Sequence, residues 1–149
     1  EPYGANFRMG NFDFTFVIFH LQYGGSIGTR RYEASQIQTI YDYFQAENGT
    51  ENDVLFGGDL NLPANDPSFT ILNDSDMDFI VAPEQKTSIG GEGLTQSFDN
   101  IFYSRSATSE LTDFGVLDFT NNNYYELQEL LSDHIPVYMS FDITVPDDD

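Results

Sequence analysis

The sequence has no cysteine, no tryptophan and only one lysine, Lys86. Arg8, Arg30, Arg31 and Arg105 complete the 5 basic residues, set against 25 acidic ones, for a formal net charge of −20. Each scarcity excludes a class of protein. Without cysteine there is no disulfide scaffold and no thiolate-ligated zinc or iron–sulfur centre. Five bases cannot build the broad positive face of a nucleic-acid-coating module. No apolar run approaches the length that crosses a bilayer, and none reads as a signal peptide.

What the chain does have is aromatic residues, 14 Phe and 9 Tyr among 149 residues, enough to argue against disorder despite the charge. The length suits one domain with a real core. The acid excess repels itself in a compact state unless salt or divalent cations screen it. Two readings fit. One is a secreted or periplasmic protein of a salty environment, consistent with the missing cysteines. The other is a set of metal-binding acids on an otherwise ordinary solvated surface.

Hydropathy patterning outlines an α/β chain. Gly10-Asn11 predicts a tight hairpin before the strand Phe12 to Phe19. Phe12, Phe14, Phe16 and Ile18 share one face of it, and Val17 and Phe19 make its far end apolar on both faces, hence deeply buried. Ala34, Ile37, Tyr41 and Phe44 recur at helical steps, with Ile40 widening the stripe. They predict one amphipathic helix, N-capped by Thr29 after the loop from Tyr23 and ending before Asn48-Gly49. Asp53 to Gly58 is a short apolar strand, and a helix followed by such a strand favours α/β layering. Asp66-Pro67 starts a short helix. Met77 to Val81, Phe98 to Tyr103 and Phe114 to Phe119 are further strands, with a Gly90 to Gly93 loop between the first two. The alternation from Ile135 to Ile143 is the clearest strand of all.

Titratable side chains gather at the ends of these strands. His20 ends the first, Asp59 and Asn61 follow the second, Asp99 lies in Ser97-Phe98-Asp99-Asn100-Ile101, and Asp133-His134 precede the last. Ligand sites collect at strand ends in α/β sheets. Singly, most of these residues have an ordinary structural reading: a capping histidine, or an Asp-Leu-Asn turn bonding its own backbone. Asp99 is the exception, because a carboxylate in an aromatic strand is costly unless paired, protonated or metal-bound.

Four segments occur in order: Phe19-His20-Leu21, Gly57-Gly58-Asp59-Leu60-Asn61, Ser97 to Ile101, and Leu131-Ser132-Asp133-His134-Ile135-Pro136-Val137. They resemble the successive motifs of the endonuclease/exonuclease/phosphatase superfamily, the deoxyribonuclease-I-like fold. Arg30-Arg31 and Glu33 after the His20 loop also resemble its bacterial members. The resemblance implies the C-terminal part of a four-layer α/β sandwich, with a mostly antiparallel or mixed sheet and flanking helices, over residues 1–145, followed by an acidic tail at 146–149. It implies metal-dependent phosphodiester hydrolysis. His20, Asp59, Asn61, Asp99 and His134 would be catalytic, with Asp99 fixing the tautomer of His134. Asp133 and Asp59 would hold a divalent cation, Mg²⁺ first, with Mn²⁺ or Ca²⁺ as substitutes. Apart from the resemblance, Arg30, Arg31 and Arg105 are the only candidates for a basic patch that meets a polyanion; Arg30 and Arg31 are the expected substrate contacts, or equally a solvated helix start.

The family's N-terminal half, which supplies a metal-binding glutamate, has no counterpart here. The expectation is therefore that these 149 residues alone are nearly inactive. A nonspecific DNA endonuclease is the favoured activity. Inositol-phosphate or sphingomyelin hydrolysis is the alternative, and a further one is an inactive half-domain covered by its own copy or by a complementing N-terminal half.

Overall fold

The computed structural model describes residues 1–47, 49 and 52–146. Asn48 and the tail residues Asp147 to Asp149 lie outside the described residues.

Nine strands and four helices occur in the described chain. β1 (Tyr3–Met9) and β2 (Phe12–His20) form the expected hairpin, with Gly10 at φ 67° in its turn. α1 (Ile27–Ala34) and α2 (Ile37–Glu47) follow, then β3 (Val54–Asp59). A 3₁₀ turn (Pro67–Phe69) leads into α3 (Thr70–Asn73) and β4 (Met77–Phe79). β5 (Ile89–Gly90) and β6 (Gly93–Leu94) are a small hairpin where a loop was expected. β7 (Asp99–Ser104), β8 (Leu111–Val116), α4 (Tyr124–Leu130) and β9 (Val137–Phe141) complete the chain.

The main sheet has the order β1-β2-β3-β7-β4. β2 and β3 run parallel and its other pairs antiparallel, so the sheet is mixed, one of the two arrangements the resemblance implied. Alternation along the strands supplies two cores. Val17, Phe19, Val54, Phe56 and Phe102 face the helices and meet Ala34, Ile37, Tyr41, Phe69 and Leu72. Leu55, Ile101 and Tyr103 face the other way, toward the two-stranded β8–β9 sheet, where Phe14, Phe16, Val137, Met139 and Phe141 pack. Each fully buried aromatic or branched side chain contributes about 1.5–3 kcal/mol. The described chain is thus helices, five-stranded sheet and two-stranded sheet.

Besides the β5–β6 hairpin, the strand expected at Phe114 to Phe119 lies earlier, at Leu111–Val116, and three further expectations change. The single helix is two, because Ser35 turns its hydroxyl onto the Tyr32 carbonyl (2.7 Å) and the chain restarts at Ile37. Its N-cap is Ser26, whose hydroxyl accepts from the Thr29 amide at 3.2 Å, not Thr29. The far end of β2 is buried on one face only. Val17 and Phe19 are covered, but Ile18 is 54% exposed because neither β8 nor β9 reaches it.

Candidate active site

The parallel register of β2 on β3 aligns His20 with Asp59, and the antiparallel register of β3 on β7 aligns Asp59 with Asp99. Three adjacent strands thus end side by side with a titratable group on each. This requires close approach: Gly58 sits against Phe19, and a Cβ on it would lie 1.7 Å from the Phe19 carbonyl oxygen. Only glycine fits there.

Asp133 and His134 arrive from the other end of the chain. The Ser132 hydroxyl accepts from the His134 amide at 3.0 Å. Two backbone bonds hold the segment against Thr87 to Ile89: the Ile89 amide donates to the Asp133 carbonyl (2.6 Å), and the Ile135 amide donates to the Thr87 carbonyl (2.8 Å). Thr87 has a second task. Its buried hydroxyl accepts from the amides of Phe98 (3.1 Å) and Asp99 (3.0 Å), fixing the start of β7. Nothing in the sequence marked Thr87, since a threonine in a loop carries no signal of its own.

The result is a constellation. His134 Nδ1 lies 2.7 Å from Asp99 Oδ2, and His134 Nε2 lies 3.8 Å from Asp59 Oδ2 and 4.0 Å from Asp133 Oδ1. His20 Nε2 approaches the same Asp59 oxygen at 3.4 Å. The hydrogen bond to Asp99 raises the pKa of His134 above its ordinary value, against the opposing effect of burial. Asp59 is also raised, by burial first and by the nearby Asp99 charge, while the Asn61 amide and the two imidazoles pull the other way. These groups line a cleft of ≈ 530 Å³ with Tyr23, Asn61, Gln96 and Phe98.

Asp59 divides its carboxylate. Oδ1 accepts from the Asn61 amide at 2.8 Å, an Asx turn, while Oδ2 faces the imidazoles. The ordinary turn and the site are therefore one structure. Asn61 adopts a left-handed backbone (φ 50°), is buried, and donates Nδ2 to the Leu21 carbonyl at 2.7 Å, which ties the His20 loop to β3.

The two arginines separate. Arg31 clamps Asp66 with three contacts of 3.0–3.1 Å and lines none of the cleft that holds the histidines. Asp66 resists burial of its charge because Arg31 and Ser68 hold it ionised, below the usual carboxylate range. Arg30 instead donates to the Asn61 carbonyl at 3.1 Å.

Asp59, Asp99 and His134 offer ligand atoms within 4.8 Å of one another among the described residues. The donor chemistry fits a hard divalent cation. Asp59 and Asp99 offer carboxylate oxygens, though Asp99 Oδ2 is already bonded to His134. Asp133, expected as a ligand, falls outside that group and stands 69% exposed beside it, and no arginine pairs with any of the three carboxylates among the described residues. The excess negative charge is what such a cation would neutralise.

No protein-family profile matches the chain. A deoxyribonuclease of Thioalkalivibrio sp. is 25% identical over 156 aligned positions, spanning 95% of this chain and 43% of that protein. Among solved structures, a beta toxin from Staphylococcus aureus superposes with a TM-score of 0.64 at 18% identity, covering 95% of this chain and 57% of the toxin. A 3′ phosphatase from Neisseria, bound to a product DNA hairpin, superposes with a TM-score of 0.63 at 20% identity, covering 93% of this chain and 64% of that enzyme. The chain spans under half of its curated relative and under two thirds of these structures, and what the likeness shows is the fold: mixed α/β, of the deoxyribonuclease-I-like kind.

Proposed function

We propose that this chain carries the hydrolytic centre of a phosphodiesterase that uses a divalent cation and acts on DNA. One observation carries the reading: His134 is held at Nδ1 by a carboxylate at 2.7 Å while its Nε2 faces a cleft shared with Asp59. That is how an imidazole is prepared to take a proton from water.

A phosphodiester resists hydrolysis because the incoming oxygen meets an anion. With Nδ1–H donated to Asp99, the Nε2 lone pair of His134 accepts the water proton, and Asp99 stabilises the imidazolium that forms. Asp59 Oδ2 orients the water. Asn61, anchored on Leu21, positions the phosphate. His20, at the open rim of the cleft, donates to a phosphate oxygen or to the leaving oxygen. Asp59 and Asp133 are the residues that would hold Mg²⁺, which supplies neutralisation of the phosphate oxygens. Two carboxylates leave such an ion largely to water, so turnover by the 149-residue chain alone is expected to be slow.

The relative named as a deoxyribonuclease supports the choice of DNA. A second cleft of ≈ 470 Å³ favours a lipid alternative. It borders Asp59 and His134 and is lined by Phe119, Leu131, Pro136 and Val137. The test is hydrolysis of plasmid DNA, an inositol phosphate and sphingomyelin, with Mg²⁺ and with chelator. Mg²⁺-dependent nicking supports the proposal, and selective release of phosphocholine overturns the choice of DNA. Turnover that rises with pH through the His134 titration supports the base role, whereas turnover that falls assigns His134 to stabilising charge on phosphorus.

A further inference from the structure

A third cleft, of ≈ 500 Å³, adjoins the one that holds the histidines. The two share four lining residues, Tyr23, Asn61, Gln96 and Phe98, so they form one groove with the imidazoles at one end and Arg30 at the other. Arg30 is unlike the other arginines. Arg8 pairs with Asp13, Arg31 with Asp66, and Arg105 with Asp76 and Asp78, whereas Arg30 has no carboxylate partner among the described residues. It reaches only a backbone carbonyl, that of Asn61, and its Nε is buried without a hydrogen-bond partner. In a chain of net charge −20, a guanidinium left uncompensated in a groove stands out as a place for an external anion. Between the two ends stand two aromatic rings. Tyr23 is 73% exposed, lies two residues beyond Leu21, whose carbonyl Asn61 holds, and is followed by Gly24 and Gly25 at φ 87° and 62°.

We infer that Arg30 binds the neighbouring phosphate of a single-stranded polynucleotide whose scissile phosphate lies at His134, with the intervening base on Tyr23. This rests on the phosphodiesterase reading and adds a second subsite to it. Asp66 also lines the Arg30 end but is held by Arg31. With a divalent cation on the carboxylates at the histidine end, the groove would offer positive charge, ring, positive charge in sequence, which matches the repeat of a nucleic-acid strand and not a phosphomonoester. Aromatic stacking accepts any base, so such a subsite selects for a polymer without selecting its sequence.

The test is equilibrium binding of a thymidine dinucleotide, with one internucleotide phosphate, and a trinucleotide, with two, in Mg²⁺ at low salt. Sulfur-substituted linkages keep the charge while slowing hydrolysis. The expected result is about tenfold tighter binding of the trinucleotide. Arg30→Gln should abolish that gain and Arg30→Lys should keep most of it. Tyr23→Ala should weaken the trinucleotide about tenfold. Removing Arg30 should also lower the salt slope of trinucleotide binding by about 0.7. Equal affinities for the two oligomers overturn the inference, as does a gain that survives Arg30→Gln. Inositol hexakisphosphate binding that is tighter than the trinucleotide and indifferent to Tyr23→Ala also overturns it. If no phosphodiester is hydrolysed yet the Arg30-dependent gain is present, the hydrolytic reading falls and the subsite stands. Hydrolysis without the gain gives the reverse.

Discussion

The two histidines share one carboxylate oxygen and little else. His134 has a side chain 28% exposed, a ring fixed by Asp99, a backbone amide fixed by Ser132, and flanking residues paired to Thr87 and Ile89. His20 has a side chain 70% exposed at the end of β2, and its one ion-pair contact among the described residues is with Asp59 at 3.4 Å. One imidazole is set in place before any ligand arrives, whereas the other is free to adapt to what arrives. In a proposed hydrolase that contrast separates a proton acceptor, which must point one way, from a group that follows the substrate.

The largest effect should come from a change that removes both. Gly58→Ala places a methyl group on the Phe19 carbonyl and forces β2 from β3. A loss of about 3 kcal/mol or more is expected in denaturant unfolding. An unchanged midpoint would mean that the two strands can separate at no cost. Next is chemistry at an intact fold. His134→Ala should lower Mg²⁺-dependent DNA hydrolysis by about 10²–10⁴-fold, and His20→Ala by only about tenfold. Equal losses would erase the distinction between them. Asp99→Asn should fall between the two, because it keeps the shape but loses the tautomer.

The contrast is also expected in stability. Asp99 raises the pKa of His134 in the folded protein. That contribution is therefore fully present below the ordinary histidine value near 6.5 and is lost as pH rises through the elevated native one. In chelator, the stability gap between the parent and Asp99→Asn should be wider at about pH 5.5 than at about pH 9. A gap that widens with pH would contradict the pairing. Asp59, raised by burial, adds the same sign. Mg²⁺ should accordingly raise Tm more on the alkaline side, by an amount that grows with its concentration. The smallest effect is at the support. Thr87→Val removes the hydroxyl that two amides share and should cost about 1–3 kcal/mol. It should slow hydrolysis through Asp99 and not through His20.

Much of this was legible in the residues, and for identifiable reasons. The Phe12–Phe19 alternation and the Gly10-Asn11 turn are local signals, and the structure carries both. Asp66 at the start of the short helix is another, with its carboxylate accepting from the Ser68 amide. The grouping of Asp59, Asp99 and His134 followed from their places at strand ends. What stayed hidden depends on contacts distant in sequence. Arg30 and Arg31 look alike as neighbours, yet helix geometry sends one to Asp66 and the other to Asn61. Thr87 matters only because residues 96–99 and 133–135 come to it. α4 begins at the Tyr124-Tyr125 pair, with no buried face to impose a period, so nothing in the pattern announced it.

The divided carboxylate of Asp59 has one more consequence. Because Oδ1 is held by the Asn61 amide, the group cannot swing to present both oxygens to the cleft. A cation held there as proposed would meet Asp59 through Oδ2 alone. Calcium sites commonly gain affinity from bidentate carboxylates, whereas the smaller magnesium ion is content with one oxygen and retained water. In the proposed metal site, a turn that looks like mere backbone punctuation would thus favour the smaller ion.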